Sequence, residues 1–390
     1  MGARMQRRGF IGWMAGAVAG GVPAAWPDVA GAQAEPASPG AAAGAVPGAN
    51  ASAVRPALAP EVAAFVAEMS SRHGFDPEAL AALMAAVRPQ PRVLSAMQAQ
   101  SQPRPWYDYR AAFVNRTRVA GGVRFWNENV EPLARAETVY GVPPELVVAT
   151  IAAETLFGRQ MGTHPVLDTL AALAFGFPRR AEFFRSELEH FLLLARDLDL
   201  DPARPLGSFA GAMGIPQFMP SSYRRLAVDF DGDGRIDLWR SAADAIGSVA
   251  NYYRAHGWVT GGPVALPVEA PADLARAQAE RGIRPHTPAG ELRAMGIAVP
   301  DQIDAGVQAM VFPLVFREGT RYWAGFDNFF VITRYNRAIH YAMAVHELAV
   351  DIRAARASGD GAAAAPSPSR VEATPRRAGA TRRSSAKASR

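Results

Sequence analysis

The sequence predicts a mainly helical fold of the α+β class, with a small strand-containing subdomain inserted before the last helix. Apolar residues recur at three- and four-residue spacing in most segments, which is the period of a helix that packs one face on a core. Proline and glycine mark the expected starts and ends of these segments. Only the stretch 264–334 carries short runs rich in Val, Phe and Ile, which favour strands.

The N-terminal segment 1–34 predicts an export signal. Arg7 and Arg8 precede an Ala- and Gly-rich stretch, and Ala32-Gln33-Ala34 supplies the small-x-small pattern of a cleavage site. The two arginines followed by Gly-Phe-Ile are similar to a twin-arginine signal, with an ordinary signal or an uncleaved basic segment as the alternatives. We therefore expect the protein to be exported to the periplasm.

Two low-complexity segments flank the region that is expected to fold. Residues 35–55 are rich in Ala, Pro and Gly and predict a disordered linker, and residues 356–390 predict a disordered basic tail. The chain has a formal net charge of +5, but its basic residues are concentrated in the tail and residues 56–355 are slightly acidic. A nucleic-acid-binding domain is therefore not expected. The tail either contacts anionic wall polymer or membrane surface, or it only keeps the protein in solution.

Several kinds of site are excluded by composition. The chain has no cysteine, which excludes disulfides, thiolate nucleophiles, Cys-ligated zinc and a lipid anchor on an N-terminal cysteine. None of the seven histidines has a close metal-ligand spacing. The sequence also contains neither G-x-S-x-G nor a phosphate-binding loop.

The region 56–355 divides into parts of different pattern. Its first part shows helical spacing at Val62, Phe65, Val66 and Met69. The predicted parts are a helical region (56–140), a core with an acidic metal loop (141–263), a β-containing subdomain (264–334) and a closing helix (335–355). The predicted helices include 123–139, 146–157, 181–198, 220–227 and 241–256, and the predicted strands are Val264–Val268, Met310–Phe316 and Phe329–Thr333.

Glu154 is the candidate acid of the sequence. On the predicted helix 146–157 it follows Val147 and Ile151 at a spacing that places all three on one stripe. A carboxyl group in apolar surroundings resists ionisation and keeps its proton near neutral pH, as a general acid must. Helical phase alone leaves another interpretation open, in which Glu154 is a surface residue paired with Arg159.

Five ordered motifs resemble those of the lytic murein transglycosylase B family. They span roughly residues 105–350, and the acid lies inside the first of them. The motifs are Tyr140-Gly-Val-Pro-Pro-Glu-Leu with Ala153-Glu154-Thr155-x-Phe157-Gly158-Arg159, then Phe177-Pro-Arg-Arg-Ala-Glu-Phe-Phe184, Gly207-Ser-Phe-Ala-Gly-Ala-Met-Gly214 with Gln217-Phe-Met-Pro-Ser-Ser-Tyr223, Asp244-Ala-Ile-Gly-Ser-Val-Ala-Asn-Tyr252, and Thr333-Arg-Tyr-Asn336 with His340-Tyr-Ala-Met343.

The resemblance implies a lysozyme-like helical core and cleavage of the MurNAc-β-1,4-GlcNAc bond of peptidoglycan. Glu154 would act first as acid and then as base, so that the C6 hydroxyl of MurNAc forms a 1,6-anhydro product. One alternative is a hydrolysing muramidase with a second carboxylate, Asp168 or Glu182. Another is a non-catalytic, calcium-stabilised peptidoglycan-binding protein. Peptidoglycan strands are the expected partner, with cell-wall synthesis proteins as possible additional partners, and no organic cofactor is expected.

The same resemblance implies a set of sugar contacts. Tyrosine suits a glycan because its ring packs on the apolar face of a sugar while its hydroxyl forms hydrogen bonds. Taken one at a time, these residues are also typical of core aromatics and of a structural glycine loop with a capping serine. The implied contacts are Ser208, Gln217, Tyr109, Tyr252, Tyr335, Asn336 and Tyr341.

An acidic loop predicts a calcium site. Asp229, Asp231 and Asp233 follow the D-x-D-x-D-G pattern, in which alternate oxygens converge on a hard cation, and the Arg235 carbonyl can add a ligand. Arg240 stands where the usual closing glutamate would be, and the resemblance implies Asp244 in that role. The alternative is that Asp244 only forms a capping box with Ser241.

Overall fold

The computed structural model describes residues 58–98 and 104–359. The predicted export signal, the linker and almost all of the predicted tail lie outside these residues. The helices are α1 (Pro60–His73), α2 (Pro77–Ala85), α3 (Pro91–Gln98), α4 (Trp106–Phe113), α5 (Arg116–Glu128), α6 (Val130–Tyr140), α7 (Pro144–Thr155), α8 (Val166–Gly176), α9 (Ala181–Asp197), α10 (Pro220–Leu226), α11 (Ala242–Ala255), α12 (Ala272–Glu280), α13 (Ala289–Ala294), α14 (Asp327–Tyr335) and α15 (Ile339–Ser358). The strands are β1 (His164–Pro165), β2 (Leu206–Gly207), β3 (Ala265–Val268), β4 (Thr287–Pro288), β5 (Gln308–Phe316) and β6 (Gly319–Gly325).

This element order confirms the mainly helical α+β class predicted from the sequence. A capping side chain marks the start of α2 in the first half of the chain. The side chain of Asp76 accepts a hydrogen bond from the Ala79 amide at 2.7 Å, as an N-cap residue does. The predicted helix 123–139 is in fact two helices, α5 and α6. The helix is interrupted at Asn129, whose φ of −130° is not helical.

Helix α7 lies at the centre of the main core. It packs against α5, α6, α11 and α15, and every one of its residues except Glu145 and Glu154 is buried. The helix is therefore apolar around almost its whole circumference, not along one stripe as the helical phase suggested. It begins two residues earlier than predicted, with Pro144 in its first turn, and it ends two residues earlier because Leu156 and Phe157 adopt positive φ angles of 50° and 63°.

A four-stranded antiparallel sheet, in the order β3-β6-β5-β4, follows the core in sequence. Strands β5 and β6 form a hairpin whose register closes at Phe316 and Gly319. One face of the sheet, with α12 and α13, encloses a separate small hydrophobic cluster that includes Leu292, Val311 and Phe326. The sheet and its own cluster fit a small unit inserted between α11 and α14.

The prediction of a strand at 329–333 is wrong. These residues belong to α14, where Phe329, Val331, Ile332 and Thr333 are all buried. The Phe329 ring stacks on Phe312 of β5 with a centroid separation of 4.9 Å. Strand propensities differ by only ~1 kcal/mol, so the burial of these side chains on a helix outweighs their intrinsic preference.

The predicted closing helix 335–355 is also displaced. Tyr335 ends α14, and α15 begins only at Ile339 and continues to Ser358. The first residues of the predicted tail therefore extend the helix. Among the residues that the structure describes, no helix combines the length and the apolar character that a membrane span requires.

Candidate active site

Glu154 lies in the last turn of α7 and is only partly exposed. The Tyr341 hydroxyl, from α15, donates a hydrogen bond to its Oε1 at 2.5 Å. Burial raises the pKa of the Glu154 carboxyl to about 7, and the hydrogen bond from Tyr341 partly opposes this rise. A substantial fraction of this carboxyl therefore carries its proton at neutral pH.

The backbone beyond Glu154 holds the carboxyl group in place. The Thr155 hydroxyl donates to the Ile215 carbonyl at 2.8 Å and accepts from the Gly158 amide at 3.0 Å. These bonds tie the left-handed turn after α7 to the loop that precedes α10. Arg159 is exposed and forms no salt bridge with Glu154 in the described part of the chain, so the surface ion-pair interpretation is wrong.

Five tyrosines have a pKa that Glu154 influences. Burial is the main cause of the raised pKa of each, and the charge of Glu154 raises each further. For Tyr252 the pKa rises to about 12. Sequence reasoning missed Tyr253, whose only sequence signal is its place beside Tyr252. The five are Tyr109, Tyr252, Tyr253, Tyr335 and Tyr341.

Most of these hydroxyls have fixed partners in the protein. Tyr335 donates to the Pro216 carbonyl and Tyr252 donates to the Arg334 carbonyl, each at 2.6 Å. The Tyr253 and Thr150 hydroxyls are hydrogen-bonded to each other at 2.7 Å. The Tyr109 ring stacks on Phe113 with a centroid separation of 4.7 Å. The ring faces are therefore positioned before any sugar binds.

Ser208 and Gln217 shape the glycine-rich loop. The Ser208 hydroxyl accepts hydrogen bonds from the Ala210 and Ala212 amides at 3.3 and 3.0 Å, so it does cap this loop. Gln217 adopts a positive φ of 52°, and its side-chain amide donates to the Met161 and Gly214 carbonyls. Their contacts with substrate stay a prediction.

Glycine is required at position 214 of the same loop. Its φ is 69°, and a Cβ there would lie 2.5 Å from the Leu238 carbonyl oxygen.

Asn336 lies in the turn between α14 and α15. Its side-chain oxygen accepts a hydrogen bond from the Ala338 amide at 3.2 Å. Sugar binding by Asn336 is likewise a prediction.

The two candidates for a second carboxylate are placed differently. Asp168 is 5% exposed, and its Oδ2 pairs with the Arg88 Nε at 3.0 Å. Glu182 lies in the first turn of α9. In the described chain, burial and Tyr341 account for the shifted pKa of Glu154, and no second acid contributes to it.

The acidic loop brings three of its five predicted ligands together. Carboxylate oxygens of Asp229, Asp231 and Asp244 all lie within 4.8 Å of one another. Asp233 is not in this group, and its Oδ1 accepts from the Arg235 amide at 2.8 Å. The structure thus converges three acids, and the ligand roles of Asp233 and Arg235 stay predictions.

Asp244 connects this loop to α11. It is 1% exposed, and its two oxygens accept from the Phe230 and Asp237 amides at 2.7 and 2.8 Å. Ser241 caps α11 by accepting from the Asp244 amide at 3.1 Å. The Asp244 carboxylate does not reach back to the Ser241 amide, which donates to the Asp237 carbonyl. The reciprocal capping box is therefore absent at this helix start.

Comparison with known proteins gives one consistent result. The family model described as "Transglycosylase SLT domain" matches residues 57–350. Membrane-bound lytic murein transglycosylase B of Escherichia coli (strain K12) is 44% identical over 305 residues, which cover 75% of this chain and 82% of that protein.

Solved structures agree with the sequence matches. Soluble lytic transglycosylase SltB1 from Pseudomonas aeruginosa is 48% identical, with a TM-score of 0.73 over 77% of this chain and 100% of that chain. Escherichia coli Slt35 in complex with calcium is 44% identical, with a TM-score of 0.70 over 76% and 94%. Pseudomonas aeruginosa SltB3 in complex with NAG-NAM-pentapeptide is 32% identical, with a TM-score of 0.67 over 75% and 79%. The predicted lysozyme-like fold is confirmed by these neighbours.

Proposed function

Because this chain belongs to the family defined by the transglycosylase SLT domain, we propose that it is a lytic murein transglycosylase with Glu154 as its acid and base. One observation carries the assignment of the residue. Glu154 is the partly buried carboxyl group whose pKa rises to about 7 among five tyrosines. The group can therefore give up a proton and take one back near neutral pH.

The proposed reaction needs one carboxyl group in two roles. Protonated Glu154 gives its proton to the oxygen that links MurNAc to GlcNAc, and the bond from that oxygen to C1 of MurNAc breaks. The carboxylate then takes the proton of the C6 hydroxyl of the same MurNAc. The C6 oxygen, now without its proton, bonds to C1 of the same MurNAc and forms the 1,6-anhydro ring. An intramolecular hydroxyl has a high effective concentration, so no protein nucleophile or held water is needed.

One observation supports this route over hydrolysis. Hydrolysing glycosidases use a pair of carboxylates on either side of the scissile bond. Of the two candidates for a second carboxylate, Asp168 is already paired with Arg88 at 3.0 Å. Glu182 remains the second-acid candidate that an experiment must exclude.

The tyrosines and the glycine-rich loop would hold the glycan around Glu154. Tyr109 and Tyr335 are partly exposed and would offer ring faces to a sugar, whereas Tyr252 is 8% exposed and packs against Tyr335 at 4.7 Å, so it would mainly support that ring. Ser208 and Gln217 would supply hydrogen bonds from the loop. Tyr341 would act on the acid itself, because its hydroxyl is bonded to Glu154.

Digestion of purified sacculi tests the function. We expect the wild-type protein to release muropeptides that end in 1,6-anhydro-MurNAc, one water lighter by mass spectrometry than hydrolysed products. Glu154→Gln should lower strand cleavage by at least about a thousandfold, because the amide has no proton to give. Glu182→Gln is the matched control and should keep both the rate and the anhydro product.

The outcomes separate the alternatives. Hydrated products that disappear in Glu182→Gln would assign a two-carboxylate muramidase. Cleavage that persists in Glu154→Gln would overturn the assignment of the acid. Binding to sacculi without any cleavage by the wild type would assign a non-catalytic binding protein.

Calcium is the metal that fits the acidic loop. Asp229, Asp231 and Asp244 present converging hard oxygen ligands, and Gly232 and Gly234, with φ of 78° and 87°, allow the sharp bends. Slt35 has been described in complex with calcium. A bound ion would neutralise the acids and fasten the loop to α11, with no part in the chemistry.

Export to the periplasm suits this substrate. The signal-like segment 1–34 and the murein-acting relative both support that location. Contacts of the basic segment 356–390 with anionic wall polymer, and contacts with wall-synthesis proteins, belong to the same proposal.

A further inference from the structure

A pocket that contains neither Glu154 nor Tyr341 is lined in part by the same two helices, α4 and α15. It is open, has a volume of about 690 Å³, and is bounded by α4, α15 and the β5–β6 hairpin. An ion pair between Arg110 of α4 and Glu347 of α15 forms part of its wall. No residue of this pocket takes part in the mechanism above.

Charges of both signs line the pocket in equal number. Three guanidinium groups and three carboxylates line the pocket. A ligand that carries charge of only one sign would therefore be repelled by half of these groups. Arg317 and Arg321 are 74% and 63% exposed, and their nearest acids are 3.7 and 3.8 Å away. Such loose ion pairs leave both cations available to a ligand. The charged lining residues are Arg110, Arg317, Arg321, Glu318, Glu347 and Asp351.

Aromatic rings orient these cations. The Arg317 guanidinium lies over the Tyr107 ring at 4.7 Å, and the Arg321 guanidinium lies over Phe316 at 4.5 Å. Stacking limits the freedom of each arginine before a ligand arrives. The Trp323 indole also lines the pocket, and its Nε1–H is buried without a hydrogen-bond partner in the described structure. The indole adds a flat apolar surface beside the two stacked arginines.

We propose that this pocket binds the peptide stem of a murein strand, a short peptide with free carboxylates and a side-chain amine on an aliphatic body. Arg317 and Arg321 would take the carboxylates, Asp351 would take the amine, and the aromatic rings would cover the aliphatic portion. The inference rests on the proposed function, because it assumes that murein is the substrate. It adds a peptide site to the sugar cleft.

The distances permit a single strand to occupy both sites. Tyr109, near Glu154, and Arg110, in the pocket, are consecutive residues of α4. On α15, Tyr341 and Glu347 are six residues apart, which is about 9 Å along a helix. An extended pentapeptide reaches up to about 17 Å. A relative, SltB3, has been solved with NAG-NAM-pentapeptide, so peptide-bearing glycan does occur with this fold.

Kinetics on two substrates test the proposal. The double variant Arg317→Ala with Arg321→Ala should raise KM for peptide-bearing glycan strands about tenfold, as expected for lost charge-assisted hydrogen bonds, and leave kcat unchanged. On strands stripped of peptide by an amidase, the double variant should match the wild type. Arg204→Ala is the control, because Arg204 is 86% exposed and holds only a loose pair with Asp201; it should change neither KM.

The affinity for free peptide provides a second test that does not depend on cleavage. Free stem tetrapeptide should bind Glu154→Gln protein by titration calorimetry, and the double variant in that background should bind about tenfold more weakly. Equal melting temperatures of the variants establish that the fold is kept. If the wild type cleaves neither kind of strand, the proposed function fails. If it cleaves both and the double variant alters neither KM nor peptide binding, the pocket is not a peptide site.

Discussion

A carboxyl group that donates a proton near neutral pH must be harder to ionise than a free glutamate. In this protein the burial of Glu154 at the end of α7 supplies that effect, and its pKa rises to about 7. The Tyr341 hydroxyl acts in the opposite direction, because a hydrogen bond to the carboxylate stabilises its charged form. The two effects together set the pKa of Glu154 near neutral pH, where both its acid and its base form are populated. The hydrogen bond also fixes the orientation of the carboxyl group.

Removing the Tyr341 hydroxyl should shift the pH dependence of cleavage. The acid must be protonated in the free enzyme, so kcat/KM should fall as the pH rises above about 7 in the wild type. In Tyr341→Phe the charged form of Glu154 loses a hydrogen bond, its pKa rises further, and the fall in kcat/KM should move to higher pH. We also expect kcat to drop about tenfold or more, since the carboxyl group loses its anchor. A pH–rate profile of sacculus digestion measures both changes.

Tyr253→Phe is the matched control for that experiment. Its hydroxyl is also buried, but it is bonded to Thr150 and not to Glu154. The variant should lose about 1 kcal/mol of stability and keep the pH profile of the wild type. An unshifted profile in Tyr341→Phe would contradict the role of Tyr341 as a positioning residue.

At the scale of elements, the acidic loop joins a surface turn to a core helix. The Asp229 carboxylate accepts from the Gly232, Asp233 and Gly234 amides, which already shapes the turn. A hydrogen bond from the Ser241 hydroxyl lowers the pKa of Asp231, so this acid stays charged at neutral pH. Negative charges held this close repel one another, and a bound cation would turn the repulsion into attraction.

Calcium should therefore raise the melting temperature. At a concentration of about a hundred times its Kd, a bound ligand adds about 2.7 kcal/mol to the free energy of unfolding, equivalent to roughly 3–5 °C for a folded region of this size. Thermal unfolding with calcium and with a chelator measures the difference. Asp231→Asn should abolish most of it.

Asp304→Asn is the control for the calcium experiment. Asp304 is an exposed loop acid whose Oδ1 accepts from the Gly306 amide at 2.8 Å, a local turn like those in the acidic loop. It is not part of the group of converging acids. Its substitution should leave the calcium effect intact. Equal melting temperatures of the wild type in calcium and in chelator would exclude a stabilising ion.

At the scale of the whole molecule, two hydrophobic cores divide the described residues. The main cluster contains most of α7 and Tyr341, the partner of Glu154, and the smaller one lies between the sheet and the helices α12 and α13. Strand β5 contributes to both, because Phe312 belongs to the main cluster and Val311 to the smaller one. Alternation along a strand places neighbouring side chains on opposite faces, and this single strand therefore joins the two cores.

The charge distribution predicts a role for the C-terminal residues. Deleting 361–390 removes the strongly basic segment and leaves a slightly acidic protein. Binding to isolated cell walls should fall at low salt and change little at high salt, where charges are screened. A cosedimentation assay at several ionic strengths measures this. A chain of full length with these Lys and Arg residues changed to Gln is the control, and it should behave like the deletion; unchanged wall binding would leave the segment without a tethering role.

The sequence by itself determined the helical class and most helix positions, and it predicted the acidic loop and the candidate acid. Local signals sufficed for the helices, because periodic apolar residues and Pro or Gly punctuation act within a few residues. The ordered motifs identified the family, and through it Glu154. Helical phase pointed to Glu154 on an incomplete premise, since α7 is buried on nearly every side and not along one stripe.

Only the tertiary structure decided what surrounds these residues. The helical state of 329–333, the bond from Tyr341 to Glu154 and the place of Tyr253 depend on contacts between residues far apart in the chain. The same holds for the convergence of Asp229, Asp231 and Asp244, which needs the fixed position of α11. Burial, and with it the pKa of Glu154, is a property of the packed core, because desolvation is the sum of many distant neighbours that no local pattern records.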